Sequence, residues 1–310
     1  MKRGFFFIVI CLFAGCITQP TEDLREYTIS GRCTLPGYTR DVFVADGYAY
    51  IADGQGGLQI VALNSLIIAG SLELSGYQQG ITVVDSFAYL ASGSEGFTLV
   101  NVADVHNPRV VGYDTWFTAY DLYFDGGFIY LAASYWFIEE DITHPDFPSY
   151  KRRCTTKGDA RGVYVDGRYA YVACEEMGIT IIDLGNPDSL ARIGYCDTPS
   201  NARDVFVEDG YAYVADGKGG LQVLDVHDPE NPFIVEGYDI KGYANRVLVK
   251  DNKAYVAAGD GGLQVFDVAD PSSPSLYGEC ETSYAYGVFV DGLIYVADRD
   301  LGLLVIEPVD

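Results

Sequence analysis

A repeated segment limits what this chain can fold into. Its marker is a tyrosine within short runs similar to Tyr-Ala-Tyr-Val-Ala, which recur at intervals of 39 to 42 residues. The marker positions are Tyr50, Tyr89, Tyr130, Tyr171, Tyr213, Tyr255 and Tyr295. A period of this length suits either pairs of helices or the four-stranded units of a propeller. The residue pattern inside the unit decides between them.

Each unit contains four short segments with the character of β-strands. An apolar run such as residues 204–207 precedes an Asp-Gly turn, a strong hairpin signal because both residues tolerate positive φ. The tyrosine run, a Gly-rich turn, a third run such as residues 221–226 and a Pro-bounded fourth run follow. Both faces of the third run are apolar, so both faces of each sheet must be covered. Radially packed sheets satisfy this, and the sequence predicts an all-β, seven-bladed β-propeller with four antiparallel strands per blade.

The two ends of the chain predict how this ring closes. The last unit, ending at residues 303–310, has only three predicted strands, whereas residues 26–34 precede the first unit without a partner. Their layout matches the beginning of residues 274–290, where a fourth strand is predicted. We therefore expect residues 26–34 to complete the last blade, which leaves fewer open strand edges. Residues 26–310 would then form a single propeller domain.

The first residues have the features of an export signal. Lys2 and Arg3 precede an apolar run that is too short to span a membrane, followed by small residues. Residues 12–16 resemble the lipobox of bacterial lipoproteins, which implies cleavage before Cys16 and lipid on its sulfur. Phe13 departs from the usual aliphatic residue, so cleavage without lipidation remains an alternative. We expect a signal peptide at 1–15, a lipidated Cys16 with a tether to residue 25, and a protein held by lipid alone to the outer membrane or cell surface.

Charge and cysteine content exclude further classes. The chain has 44 acidic and 20 basic residues, a formal net charge of −24, and such a surface repels nucleic acids. Besides Cys11 and Cys16, five cysteines remain, and an odd number without close spacing argues against a disulfide scaffold. Repeat alignment places four of them in one apolar position of the outer strand, shared with Leu72, Tyr113 and Tyr238, so we expect buried free thiols: Cys33, Cys154, Cys196 and Cys280. Cys174 falls where other units have Asp53 and Asp216.

A ring of polar residues is predicted around one mouth of the central channel. The residue two positions before the inner-strand Val, Leu or Ile is Arg40, Gln79, Tyr120, Arg161, Arg203, Asn245 or Tyr286. Two residues earlier, on the same side of an extended chain, are Tyr38, Tyr77, Thr118, Asp159, Asn201, Tyr243 and Tyr284. Arginine suits carboxylates or phosphates and tyrosine offers a flat face with a polar tip, so a small anionic or sugar-like ligand is one hypothesis. The alternative is that Arg40, Arg161 and Arg203 pair with acids such as Asp41 and Asp204 and tie neighbouring blades together.

The third unit departs most from the repeat. Residues 116–118 enter it, and residues 134–141 replace its Gly-rich turn and third strand. We expect both tryptophans on loops of the mouth face, where large aromatic residues often anchor partners. The candidate partner patch is Trp116, Phe117, Tyr135 and Trp136. Packing of the two tryptophans against each other is the alternative.

Catalytic and metal-binding motifs are not evident. His106, His144 and His227 fall in loops between third and fourth strands of three units, on the face opposite the mouth, so they cannot form a triad or a metal site there. The Asp-Gly-x-Gly-Gly turns lack the alternating acids of a calcium loop. We predict no catalytic residues, no metal and no cofactor.

The chain resembles the LVIVD-repeat β-propellers, whose units carry runs like residues 221–226 followed by Asp-Pro-x-x-Pro and Tyr-Ala-Tyr. The resemblance spans about residues 26–310 and is most specific in units four to six. It implies an exported or surface-attached bacterial or archaeal propeller, but no activity, because propellers serve as enzymes, binders and scaffolds. We expect a non-enzymatic module that binds a protein or a ligand. The alternatives are a hydrolase or lyase that holds an anionic or sugar-like substrate at the mouth, and a structural surface protein.

Overall fold

The computed structural model describes residues 24–144 and 148–309. The predicted signal peptide, Cys16 and nearly all of the predicted tether lie outside these residues. All regular elements in the described part are β-strands. It contains no helix suited to crossing a membrane.

The strands form six hydrogen-bonded sheets, five of which follow the chain locally. The chain enters through β1 (Arg25–Cys33). Sheet A contains β2 (Asp41–Ala45), β3 (Tyr48–Ala52), β4 (Leu58–Ala62) and β5 (Ile67–Leu72). Sheet B contains β6 (Gly80–Val84), β7 (Phe87–Ala91), β8 (Phe97–Asn101) and β9 (Arg109–Asp114). Sheet C contains β10 (Asp121–Asp125), β11 (Phe128–Asp141) and β12 (Ser149–Ala160).

The remaining sheets complete the fold. Sheet D contains β13 (Gly162–Asp166), β14 (Tyr169–Ala173), β15 (Ile179–Asp183) and β16 (Ala191–Cys196). Sheet E contains β17 (Asp204–Glu208), β18 (Tyr211–Ala215), β19 (Leu221–Asp225) and β20 (Phe233–Tyr238). The eight-stranded sheet F contains β1, β21 (Arg246–Lys250), β22 (Lys253–Ala257), β23 (Leu263–Asp267), β24 (Ser275–Cys280), β25 (Ala285–Asp291), β26 (Leu293–Asp298) and β27 (Gly302–Pro308).

The first strands of the repeat units lie side by side in a closed cycle. Each contacts the next in the order β2, β6, β10, β13, β17, β21 and β25, and β25 contacts β2. We call these the inner strands. Neighbouring sheets bury apolar side chains between them, such as Ile60 against Ile81, which is why both faces of the third strands are apolar. The inner strands therefore surround a central channel.

The two ends of the chain meet in sheet F. Strand β1 pairs antiparallel with β27, from Tyr27 opposite Pro308 to Cys33 opposite Leu303. The first residues of β1 also pair in parallel with β24, where Arg25 lies opposite Gly278. The predicted pairing of residues 26–34 with the last strand is thus confirmed, and the parallel contact is an addition that the repeat pattern did not indicate.

Sheet C differs from the prediction that residues 134–141 replace the third strand. Strand β11 reverses at Ser134, which has a φ of 50°, and Ile142 N donates to Gly127 O at 3.0 Å as Leu63 N does to Gly47 O in sheet A. Its second half pairs with β12. The missing Gly-rich turn shortens the connection without removing the third strand. That strand is the second half of β11, after the reversal at Ser134.

Two expectations about the outer-strand cysteines need correction. Cys33, Cys196 and Cys280 occupy the predicted position, opposite the first apolar residue of the third strand, but in sheet B that position holds Asp114 rather than Tyr113. The thiols of the described residues are free, yet only Cys33, Cys174 and Cys280 are buried. Cys154 and Cys196 are partly exposed, although they share the outer-strand position of the buried Cys33 and Cys280.

Candidate functional site at the channel mouth

The predicted inner ring converges at one end of the channel. A cavity of about 80 Å³ is lined by all seven predicted residues and by one further residue, Arg246. These residues are Arg40, Gln79, Tyr120, Arg161, Arg203, Asn245 and Tyr286. Six of them immediately precede an inner strand and donate their backbone N–H to the carbonyl of the alanine paired with the first residue of that strand, as Arg40 does to Ala52 O at 2.9 Å. That shared hydrogen bond explains why equal spacing in the sequence becomes a ring in space.

The outer tyrosines of the mouth pack against neighbouring turns. A Cβ added at Gly54 would lie 2.9 Å from the ring of Tyr77, and one at Gly217 would lie 2.8 Å from that of Tyr243. Tyr284 lies 4.8 Å from Tyr286 between ring centroids. Tyr38 is 48% exposed, so it is the outer tyrosine that is most open to solvent. These glycines have positive φ and no side chain, which leaves room for the aromatic rings.

Arg161 and Arg203 are held by acids, but not by those that the sequence suggested. Glu175 Oε1 lies 2.7 Å from Arg161 Nε and 3.0 Å from Arg203 Nη1. Asp159 adds a contact of 2.9 Å to Arg161. Asp41 and Asp204 instead turn toward Arg246 in the channel, because both are the first residues of inner strands. The expectation that these two acids pair with the ring arginines is therefore wrong.

Arg40 has a different environment from the other two ring arginines. Its guanidinium lies 3.8 Å from the ring centroid of Tyr286 and donates to Gln79 Oε1 at 3.0 Å. Within residues 24–144 and 148–309, no carboxylate comes within ion-pair distance of it. Among the described residues, its positive charge thus has a neutral amide and two aromatic rings as partners, the second being Tyr77, whose ring centroid lies 5.6 Å from the guanidinium.

Glu175 is a mouth residue that the sequence analysis overlooked. It has a φ of 46° at a position where other units place glycine, such as Gly54 (φ 56°) and Gly217 (φ 57°). A side chain in this region is unfavourable, so it is retained only where surrounding contacts hold it. The repeat alignment contained the signal, because residues 174–178 read Cys-Glu-Glu-Met-Gly where other units read Asp-Gly-x-Gly-Gly.

A buried charge cluster lies directly below the mouth. Arg246 Nη1 lies 2.9 Å from Asp121 Oδ1, Nη2 lies 3.4 Å from Asp41 Oδ2, and Nε lies 3.7 Å from Asp204 Oδ2. Each carboxylate also accepts a backbone N–H from the next inner strand, as Asp41 does from Ile81 at 3.0 Å. Three carboxylates and one guanidinium thus tie inner strands to one another around and across the channel.

Burial dominates the protonation of this cluster. Desolvation raises the pKa of Asp41 to about 6 and that of Asp204 to about 7, although Arg246 and the backbone N–H groups oppose the shift. Desolvation works against the charge of Arg246 as well, but the three carboxylates outweigh it and raise the pKa of Arg246 above its ordinary value. The arginine therefore remains charged while Asp41 and Asp204 titrate.

The candidate partner patch is only partly exposed. Trp116 and Tyr135 are exposed, at 46% and 63%, whereas Phe117 is buried and Trp136 is half-buried. Trp136 lies within β11, so the expectation that both tryptophans are on loops is wrong for it. Arg153 separates the two indoles, with its guanidinium 5.2 Å from the Trp116 ring and 4.2 Å from the Trp136 ring.

The histidines occupy the loops in which they were expected. His106 follows β8 and His227 follows β19, while His144 follows β11. None of the three lines the mouth cavity. The residues that the structure describes contain no cluster of three or more potential metal ligands.

Solved structures with the same arrangement of sheets define the class of protein as a β-propeller. The WD40 β-propeller domain of Doa1 matches with a TM-score of 0.71 and 12% identity over 91% of this chain and 97% of that one. A chain of the Mitotic Checkpoint Complex matches with a TM-score of 0.73 and 10% identity over 99% of both chains. The computationally designed Ika8 protein matches with a TM-score of 0.64 and 10% identity over 86% of this chain and 82% of that one. Identities this low support the fold alone.

Within this class, the sequence belongs to the LVIVD-repeat family. The repeat model matches five segments that together cover more than half of the chain, at residues 36–63, 75–115, 157–198, 199–240 and 241–282. Residues 116–156, which contain β10, β11 and most of β12, are not among them, in agreement with the irregular third unit. No curated protein matches the sequence.

Proposed function

We propose that the protein is a seven-bladed propeller that binds a small anionic ligand at the channel mouth, without catalysing a reaction. The count of seven treats sheet F as two four-stranded blades, β21–β24 and β25–β27 with β1, joined by the short parallel contact of β1 with β24. The closed cycle of inner strands supports this count.

The observation that carries the ligand proposal is the guanidinium of Arg40. It lies at the mouth without a carboxylate partner in the described residues, and arginine forks recognise carboxylate and phosphate groups. Tyr286, stacked against this guanidinium, and Asn245 supply the polar and aromatic surroundings of a ligand site. The enclosed volume of about 80 Å³ suits one anionic group, with the rest of the ligand above the mouth.

Titration with inorganic phosphate and with citrate at low ionic strength tests this site. We expect Arg40→Gln to weaken binding at least about tenfold, because it removes the mouth arginine that no acid of the described segments neutralises. Glu175→Gln should strengthen binding, because it leaves Arg161 and Arg203 without their shared carboxylate. Arg168→Gln is the matched control, since Arg168 lies at the opposite end of the inner hairpin and pairs with Asp183. Equal affinities in the wild type and Arg40→Gln would contradict the proposal.

The exposed Trp116 and Tyr135 are proposed as contacts for a protein partner on the same face.

The hydrolase or lyase alternative remains a prediction. It would be favoured if the wild type turned over an anionic substrate and Arg40→Gln did not.

We further propose that the protein is exported and held to the outer membrane or cell surface through lipid on Cys16. The basis is the sequence of residues 1–16. Cys16→Ser should move the protein from the membrane fraction to the soluble fraction, because several acyl chains on one residue anchor a domain durably. Fractionation and labelling with a radioactive fatty acid measure this. Retention of the Ser variant on membranes would contradict lipid anchoring.

A further inference from the structure

A second and larger cavity lies in the channel below the buried charge cluster. It has a volume of about 360 Å³ and is lined by residues of all the inner strands. This falls in the range of small-molecule sites, about 300–1,000 Å³. Asp41, Asp204 and Arg246 form the end nearest the mouth.

Five of the seven cavity-lining residues at equivalent positions of the inner strands are aromatic. These seven residues, one from each inner strand, are all half-buried: Phe43, Thr82, Tyr123, Tyr164, Phe206, Leu248 and Phe289. Neighbouring rings touch in series, with centroids 4.7 Å apart for Tyr123 and Tyr164 and 4.6 Å apart for Tyr164 and Phe206. The ring centroids of Phe43 and Phe289 lie 5.0 Å apart. Each ring packs against its neighbour, and part of its surface remains exposed.

Both ends of this aromatic segment are acidic. The end near the mouth has three carboxylates, Asp41, Asp121 and Asp204, against the single guanidinium of Arg246. The opposite end is formed by the turns between inner and second strands. Within these turns the acidic residues are Asp46, Asp85, Asp125, Asp166, Glu208, Asp209, Asp251 and Asp291. The basic residues there are Lys250, which donates to Val290 O, Lys253, which pairs with Asp267, and Arg168, which pairs with Asp183. Such a charge distribution around a low-dielectric cavity attracts cations and repels anions.

We infer that the aromatic segment of the channel binds a small organic cation of the quaternary ammonium or alkylammonium class. Aromatic faces bind such cations through their π-electrons, and the methyl or alkyl groups fill apolar space between Tyr164, Phe206 and Phe289. A metal ion is a poorer fit, because the wall consists of ring carbons and aliphatic groups rather than an oxygen cage. This site is separate from the proposed anion site, and the two share only the side chain of Arg246.

Calorimetric titration with choline, compared with its uncharged isostere 3,3-dimethylbutan-1-ol, tests the inference. We expect choline to bind with saturation and the isostere to bind at least about tenfold more weakly, because only the charge differs. Tyr164→Leu should weaken choline binding about fivefold or more, whereas Tyr164→Phe, which retains the ring, should bind like the wild type. Near-ultraviolet circular dichroism checks that both variants are folded.

Three results would overturn the inference: no saturable binding of choline, equal binding of the isostere, or retained affinity in folded Tyr164→Leu. Arg40→Gln separates this site from the mouth. Choline binding should be the same in Arg40→Gln as in the wild type, because Arg40 does not line the larger cavity. A phosphate titration that finds no anion site would therefore leave the choline result unaffected.

Discussion

Removal of residues 24–34 should abolish cooperative unfolding of the protein. Strand β1 supplies the antiparallel partner of β27 over its whole length. Without it, the edge of β27 is open and Leu303 and Val305 lose the cover of Cys33 and its neighbours. The ring would then be held at this point only by contacts between sheet faces, so we expect a partly folded, aggregation-prone chain. Urea denaturation followed by tyrosine and tryptophan fluorescence measures the transition.

A shorter truncation provides the control for that result. A chain beginning at Tyr27 loses the parallel contact of Arg25 and Glu26 with β24 but keeps the pairing with β27 from Tyr27 to Cys33. It should unfold cooperatively, with a loss of about 1–2 kcal/mol for the few hydrogen bonds removed. A chain lacking residues 24–34 that still gives a single sharp transition would refute closure of the ring through β1.

Arg246→Met should lower the free energy of unfolding by about 3–5 kcal/mol at pH 8. The methionine fills similar space but leaves Asp41, Asp121 and Asp204 without the guanidinium that contacts all three. All three carboxylates are nearly inaccessible to solvent, so water cannot replace the lost partner. Arg168→Met is the matched control. It removes only an exposed ion pair with Asp183, so it should change the free energy of unfolding little.

Arg246→Met should also make the free energy of unfolding depend more steeply on pH than it does in the wild type. Because burial raises the native pKa of Asp41 to about 6 and of Asp204 to about 7, the native state binds more protons than the unfolded state between about pH 4 and pH 7. These two groups therefore contribute most below pH 4, and their contribution is lost as the pH rises through 6–7. Without Arg246 their native pKa values rise further, so Arg246→Met should cost less at pH 5 than at pH 8. An equal cost at both pH values would show that the effect of the substitution is not electrostatic.

Much of this protein follows from the sequence alone. Strands, hairpins and the repeated unit are determined by local properties: short apolar runs, Asp-Gly turns such as residues 46–47, and the interval of 39 to 42 residues. The ring of Arg40, Arg161 and Arg203 could be predicted by counting, because each lies at the same step before an inner strand. The pairing of β1 with β27 was also predictable, since the unmatched first segment has the layout of the strand that the last unit lacks.

The partners of the charged residues were decided by the tertiary structure. Arg246 contacts Asp121, 125 positions away in the chain, only because the ring brings β21 and β10 to opposite sides of one narrow channel. The repeat describes each unit and its neighbour, and it contains no information about which residues meet across the axis. For the same reason the sequence suggested Asp41 and Asp204 as partners of the ring arginines, whereas Glu175 takes that role for Arg161 and Arg203. Arg40 is left without an acid among the residues that the structure describes. Local pattern determined the positions of the charges, and closure of the ring determined how they are neutralised, because ion pairs depend on distances in space and not on spacing along the chain.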